Sequence, residues 1–213
     1  MWWTLSSDTT HEPIYMFCTY GMSGQWSQSR TKHSAFCIQI DSSIELNFND
    51  PRRFGTIKFT KGLSALQKKL SELGPDVLEV EELDSEIFVK NILKNPSKII
   101  SEVLMDQRCV AGIGNYLRAE ILFDCGINPW KSLSELEANQ YLDLCKSITK
   151  ISKLSYCSKG ASIKTYRNVD GAVGGSQFAF KVYSREKCPS GHKVTQKRDS
   201  NGRMVHWCDT CQP

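Results

Sequence analysis

The stretch Leu104-Met105-Asp106-Gln107-Arg108-Cys109-Val110-Ala111-Gly112-Ile113-Gly114-Asn115-Tyr116-Leu117-Arg118-Ala119-Glu120 sets two glycines and an asparagine between two apolar helical segments. Glycine tolerates positive φ and close backbone approach, and Asn115 is a good N-cap. The pattern predicts a tight turn opening a helix over Tyr116 to Cys125, closed by Gly126 with Pro129 beyond. Free amides at a helix start, at the positive end of its dipole, make a ready phosphate site. A purely structural helix–helix turn would carry the same residues, so the stretch alone leaves both uses open.

Helical signals extend on both sides. Leu63, Leu66, Leu70 and Leu73 repeat at helical spacing until Gly74-Pro75 stops them. Ser85 to Lys94 reads as a second helix, ended by Asn95-Pro96, and Ser97 to Met105 as a third. Ser132-Leu133-Ser134-Glu135 reads as a capping box opening a longer helix to about residue 157. Ahead of residue 62 the pattern changes to strands: Ile14–Tyr20, Ala35–Ile40, Ile44–Asn49 and Thr56–Phe59. Two turns stand out there, Gly21-Met22-Ser23-Gly24 and Asp50-Pro51-Arg52-Arg53-Phe54-Gly55. Adjacent arginines flanked by Pro and Phe on a turn suit phosphate contact plus an apolar wedge, though an ordinary solvated turn looks the same.

The C-terminal end is a different module. Cys188-Pro-Ser-Gly-His192 and Cys208-Asp-Thr-Cys211 are two soft-ligand pairs, separated by a segment whose Asp199-Ser200-Asn201-Gly202 is a strong turn signal. Four S/N ligands on two knuckles of a β-hairpin suit a closed, structural Zn2+ site. His206 falls outside the knuckle spacing and is expected at the surface or facing DNA. Residues 181–213 hold seven Lys/Arg (Lys181, Arg185, Lys187, Lys193, Lys197, Arg198, Arg203) against Glu186, Asp199 and Asp209. The whole formal charge of +4 therefore sits in this module, and a small cationic module points to a polyanion, nucleic acid first. The other cysteines (18, 37, 109, 125, 145 and 157) are expected as reduced, mostly buried thiols. With 213 residues, 40% hydrophobic and 23% charged, wholesale disorder and collagen-like structure are excluded. No apolar run approaches the roughly 18–20 residues of a membrane span. The first five residues are too short and uncharged for a secretory signal, so a soluble intracellular protein with no membrane partner is expected.

Taken together these motifs resemble the formamidopyrimidine-DNA glycosylase / endonuclease VIII family of base-excision repair enzymes. The resemblance runs through Gly21–Gly24, Asp50–Gly55, Leu73-Gly74-Pro75, Leu104–Glu120, and Val182-Tyr183-Ser184-Arg185 leading into the finger, essentially the whole chain. It implies an α+β fold: an N-terminal antiparallel β-sandwich (incomplete here, residues 1–62), a helix-two-turn-helix domain (63–160), a lesion-recognition loop (161–180, with Gly171 to Phe178 at its centre), and a zinc-finger hairpin (181–213). It implies that Asn115, with Gly114 before it, binds backbone phosphate, and that Arg203 is the finger arginine that contacts lesion phosphates and assists elimination. Met22, Arg52 and Phe54 would fill the gap left by an everted nucleotide. Arg53 and His33, and Lys98 less directly, would contact phosphates. Cys188, His192, Cys208 and Cys211 would hold the zinc, in a Cys-x3-His variant of the finger. The partner implied is double-stranded DNA with damaged bases or abasic sites, bound by a monomer, in the nucleus if the source is eukaryotic and otherwise in the cytoplasm or nucleoid.

The family's nucleophile is an N-terminal proline amine, assisted by a neighbouring glutamate and a hairpin lysine. This chain begins Met1-Trp2, and no lysine precedes Lys32. Two readings follow: a bifunctional glycosylase/AP lyase given without its N-terminus, or a non-catalytic binder of damaged or abasic DNA. A zinc-ribbon adaptor for another protein is a third, which the glycine-asparagine turn and Arg203 oppose. Tyr116 to Glu120 leans toward the endonuclease VIII side, hence oxidised pyrimidines, by resemblance alone. A sandwich begun at Met1 is expected to leave strand edges and apolar surface uncovered.

Overall fold

The computed structural model describes residues 1–7, 10–21, 23–40, 42–81, 83–161, 175 and 179–213. They form two compact units: Met1–Ser71 with Ala161–Gln177, and Glu72–Gly160 with Phe178–Pro213.

The first unit holds β1 (Trp2–Ser7), β2 (Thr10–Thr19), β3 (Gln25–Ser27), β4 (Ser34–Gln39), β5 (Glu45–Asn49), β6 (Thr56–Lys61) and α1 (Leu63–Ser71). The strands make two antiparallel three-stranded sheets, ordered β1-β2-β6 and β3-β5-β4. A shared core of Met16, Cys18, Trp26 and Phe48 lies between them, with Trp3, Leu5, Phe36 and Ile57 packed against it. Residues two apart point the same way on a strand, so Trp3 and Leu5 turn inward while Trp2 and Thr4 stay outside. Neither β1 nor the three-residue β3 is among the strands expected from the sequence. Apolar surface is left open here, Phe59 at 51% and Ile40 at 60% exposure among it.

The second unit carries α2 (Ser85–Ile92), α3 (Ile100–Val103), α4 (Asn115–Asp124), α5 (Ala138–Cys157) and the hairpin β7 (Thr195–Arg198) to β8 (Met204–Trp207). Its core runs from Val77 through Phe88, Ile100, Leu104, Ile121 and Leu122 to Leu144 and Ile148. α4 is central: six consecutive residues, Leu117 to Leu122, are buried, so it is packed all round rather than along one stripe.

Two local expectations change. The third helix shrinks to four residues because the chain around it pairs elsewhere. The amides of Ile100 and Ser101 donate to the carbonyls of Lys131 and Pro129, and those of Leu133 and Ser134 to Lys98 and Pro96. The Ser132/Glu135 capping box is present but caps only a 3-10 turn, Leu133–Glu135. A second box, Glu137 with Gln140, opens α5.

The glycine turn is braced from both sides. The Gln107 side chain accepts from the Gly112 amide at 2.9 Å and donates to the Ile113 carbonyl at 2.9 Å. Gly74 donates to Gln107 O and Ala111 to Pro75 O, so Leu73-Gly74-Pro75 lies directly against the turn. A Cβ on Gly74 would stand 2.6 Å from the carbonyl carbon and oxygen of Cys109. Backbone cannot swing aside as a side chain can, so Gly74→Ala is expected to cost about 1–3 kcal/mol by overpacking. Urea unfolding would check it, and an unchanged midpoint would mean that the approach is not so tight.

Candidate nucleic-acid interface and metal centre

In the second unit, α4 begins at the glycine turn. Its N-cap is Gly114 and Asn115 is its first residue, so the helix opens one position earlier than the sequence suggests. The Asn115 side chain is therefore free of capping: Nδ2 donates to the Met204 carbonyl at 3.0 Å, and Oδ1 accepts from Arg118 Nη2. Arg118 Nη1 reaches Asp199 Oδ2 at 2.8 Å, and both side chains are only 1% exposed. Asp199 uses its other oxygen, Oδ1, for the amides of Arg203 at 2.8 Å and Asn201 at 3.0 Å. One buried ion pair thus joins Asn115, at the helix start, to the hairpin turn that presents Arg203.

Burial alone would raise the Asp199 carboxyl, but the Arg118 guanidinium and the Arg203 and Asn201 amides outweigh it and hold it below its ordinary value. Burial pulls Arg118 down, against the pull of Asp199. The two shifts oppose each other across one contact, and the guanidinium's very high intrinsic value leaves the pair ionised at neutral pH.

Arg203 is exposed and shares a cleft of about 250 Å³ with Lys98, Glu102, Met105, Asp106 and Asn201. The cleft's carboxylates have partners: Arg108 binds Asp106 through Nε at 2.9 Å and Nη2 at 2.7 Å, holding the Asp106 pKa at about 2, and Ser200 donates to Glu102. Lys98 and Arg203 are the two cations of this lining.

The finger's four ligand atoms, on Cys188, His192, Cys208 and Cys211, lie within 4.8 Å of one another. Cys188 Sγ is 3.7 Å from His192 Nδ1 and 3.9 Å from Cys211 Sγ, and the His192–Cys211 contact is 3.3 Å. Tetrahedral zinc with bonds of about 2.3 Å to sulfur and 2.0 Å to nitrogen has ligand–ligand edges of roughly 3.5–3.8 Å, so these residues could hold such an ion. Burial, then the neighbouring thiols, pushes Cys211 up to about 11. Without a cation such crowded sulfurs resist ionising, and a bound cation would favour their thiolate forms. Other tethers fix the finger to the helical unit. Glu120, buried, accepts from the amides of Lys181, Val182 and Tyr183 at 2.8, 3.0 and 2.8 Å. Gln212 donates to Ile127 O and accepts from Cys208 N.

His206 is not at the surface. It is 6% exposed, its ring lies 4.7 Å from that of Tyr183, and burial followed by the charge of Arg118 lowers its pKa. Of the remaining cysteines only Cys18 and Cys145 are buried; Cys37 and Cys157 are exposed, and all are unpaired thiols.

In the first unit, the turn at residues 50–55 is folded around the buried Asp50. Burial pushes that carboxyl up, but the Gly55 amide, the Ser23 hydroxyl and the Arg52 and Arg53 amides together hold it low. Arg52, Arg53 and Phe54 are all exposed, Phe54 at 61%, with the Arg52 guanidinium 5.8 Å from the centre of its ring. Arg53 has φ +56, a left-handed conformation seldom adopted by a non-glycine residue. Gly21, at φ +57, approaches so closely that a Cβ there would meet Phe54 Cβ at 2.7 Å. Exposed His33 sits at the base of the same turn, its carbonyl accepting from Asp50 N at 3.0 Å. Met22 lies outside the described residues, as do residues 162–174 and 176–178 of the segment expected as a lesion-recognition loop.

A glycine-turned helix start beside a Cys3His hairpin is the architecture of a helix-two-turn-helix protein with a finger. Residues 73–167 match the formamidopyrimidine-DNA glycosylase H2TH domain. The chain is 34% identical to formamidopyrimidine-DNA glycosylase from Shouchella clausii over 89% of its own length and 69% of the relative's. It is 32% identical to the Prochlorococcus marinus enzyme over 85% and 63%. It thus spans about two thirds of the length of these relatives. Among solved structures, MutM (Fpg) from Thermus thermophilus superimposes with TM-score 0.85 at 28% identity, covering 93% of this chain and 76% of that one. Lactococcus lactis Fpg in complex with abasic-site DNA gives 0.84 at 27%, covering 95% and 76%. The chain belongs to the formamidopyrimidine-DNA glycosylase / endonuclease VIII family.

Because the folded state lowers the Asp199 carboxyl, the ion pair's contribution is present above the unfolded carboxylate value of about 3.9 and is lost as pH falls through the lower folded value. Asp199→Asn leaves Arg118 buried without a counter-charge and is expected to cost about 3–5 kcal/mol at pH 7. The gap from wild type should shrink below pH 4. Denaturant titrations of both proteins between pH 3 and 7 would check this, and a pH-independent gap would contradict it.

Proposed function

We propose that this chain acts in base-excision repair as a DNA glycosylase of its family, gripping duplex DNA at a damaged base or abasic site. The observation that carries this reading is the joint presentation of Asn115, Arg203 and Lys98 on the second unit, with the first two fixed by one buried ion pair. Phosphate contacts supply position and most of the salt-dependent affinity. Asn115 Nδ2 has a second hydrogen beyond the one given to Met204, and with the Gly114 and Asn115 amides it suits a phosphate oxygen. Arg203 and Lys98 would neutralise the phosphates beside the lesion.

On the first unit, Phe54 and Arg52, with Met22, would occupy the gap left by the everted nucleotide, while Arg53 and His33 hold the strand. Eversion costs a few kcal/mol, which such contacts must offset. Zn2+ would be bound by Cys188, His192, Cys208 and Cys211 with no position open to water, serving rigidity rather than chemistry. The finer activity proposed is AP lyase: at an abasic site an amine condenses with the C1′ aldehyde and releases water, and the Schiff base collapses by β- and then δ-elimination, which break the 3′ and then the 5′ C–O bond to phosphate, with Arg203 steadying the leaving phosphate.

Borohydride trapping of the 213-residue chain on a duplex with one abasic site separates two readings. A covalent adduct supports Schiff-base chemistry in this chain. Lesion-selective binding without an adduct supports a recognition role. In either case Arg203→Ala is expected to weaken binding similarly across sequences and flatten the salt slope by about one. An Arg203→Ala protein with wild-type affinity and slope would remove that residue from the interface.

Stripping the metal with a chelator is expected to loosen the hairpin and lower DNA affinity, with recovery on adding one equivalent of Zn2+. Full affinity in metal-free protein would contradict a zinc-dependent finger.

A further inference from the structure

We infer that Arg118 is a positioning residue for DNA binding: it fixes which end of the Asn115 side-chain amide faces the phosphate and couples Asn115 to Arg203. The inference rests on the DNA-binding reading above and deepens it, since no role attaches to Arg118 from its place in the sequence.

The argument starts from donor and acceptor chemistry. An asparagine amide presents either an oxygen or an NH2, and only the NH2 can bind a phosphate. Arg118 is donor-only, so its Nη2 can meet only the oxygen of Asn115, at a spacing of three residues on one helix. Met204 O, an acceptor, takes one hydrogen of Nδ2. Both contacts select the same amide orientation, with the second Nδ2 hydrogen left over. The guanidinium's Nη1 meanwhile holds Asp199, whose other oxygen holds the Arg203 amide. A planar fork with fixed directions can serve both partners at once, and a lysine ammonium cannot copy that geometry. Arg118 is itself 1% exposed, out of reach of a phosphate.

The test uses the full 213-residue chain loaded with zinc, as wild type, Arg118→Met and Arg118→Lys. The lysine variant keeps a cation opposite Asp199, so the fold survives even if Arg118→Met does not. The first readout needs no DNA: the Asn115 side-chain NH2 resonances in a 15N-labelled sample, assigned by their loss in Asn115→Ala. In Arg118→Lys they are expected to shift, together with the Arg203 backbone amide. The second is affinity for a duplex carrying a tetrahydrofuran abasic analogue. It is expected to fall about tenfold with an unchanged salt slope, and the loss should largely disappear in the Asn115→Ala background.

Unmoved Asn115 resonances in Arg118→Lys would overturn the inference. So would a salt slope flattened by about one, which would make Arg118 a phosphate contact, or a loss fully additive with Asn115→Ala, which would make its role general stability. If the wild-type chain shows no salt-dependent affinity for the duplex, the functional reading fails, and the Asn115 resonances alone decide whether Arg118 sets that amide.

Discussion

The ion pair between Arg118 and Asp199 is the constraint on which the second unit's functional surface depends. Removing two charges from water costs several kcal/mol per ion, and a single contact does not recover it. Here the carboxylate is saturated by a guanidinium and two amides. The guanidinium also reaches the carbonyls of Ser101 and Met204, at 3.5 and 3.4 Å. An apolar pair of the same volume would hold helix to hairpin about as well. It could not direct an asparagine amide or the backbone of a turn, because apolar packing has no donor direction. Direction is what the pair adds.

Two residues on, Glu120 does the complementary job. Arg118 and Glu120 lie in the same buried stretch of α4. One faces the hairpin turn and the other draws in the three amides of Lys181, Val182 and Tyr183, where the chain enters the finger. Gln212 ties the finger's end to Ile127, and Ile127 follows α4 directly. One helix and its exit thus hold the finger at its entry, tip and end, and the Cys3His cluster has only to fix the knuckles. A rigid tip matters because Arg203 is exposed, and a flexible arginine gives up much of its contact energy in ordering.

The sequence showed the modules more readily than their joints. The helix opening at the glycine turn, the helices at Leu63 and Ser85 and the finger hairpin all carry strong local signals: apolar spacing, Gly-Pro and Asn-Pro stops, and an Asp-Ser-Asn-Gly turn. β1 carried one too, in the alternation of Trp2 and Thr4 with Trp3 and Leu5, but a stretch that short at a chain start is easily passed over. β3 is too short for any period. The third helix is shorter than its apolar pattern implies because its strand-like bonds go to residues 129–134, far along the chain. Asn115, Arg203 and the four metal ligands come from recognisable patterns. Arg118 and Asp199 do not, since they pair across the fold, and Gln107 and Asp50 do not, since a side chain that gathers the backbone of its own turn leaves no periodic trace. One signal was available: an arginine amid Leu117, Ala119, Ile121 and Leu122 is out of place on a buried helix unless a counter-charge awaits it. His206 went the other way, because a β-strand histidine beside a metal site gives no hint of which face it takes.

The two units present their arginines by the same physical device. The turn at 50–55 and the turn at 199–203 each fold around a buried aspartate that gathers backbone amides: Gly55, Arg52 and Arg53 in one, Asn201 and Arg203 in the other. Each aspartate also takes one side-chain donor from another element, Ser23 or Arg118. An anion at the centre of a turn draws the amides inward, and the side chains of those residues point out. The backbone of such a turn therefore sets the outward direction of the arginines it carries. Both carboxyls are held below their ordinary values by these bonds, so both turns keep their internal charge at neutral pH. A serine or asparagine at either place would still accept a bond, but without a full charge it would bind its amides about half as strongly.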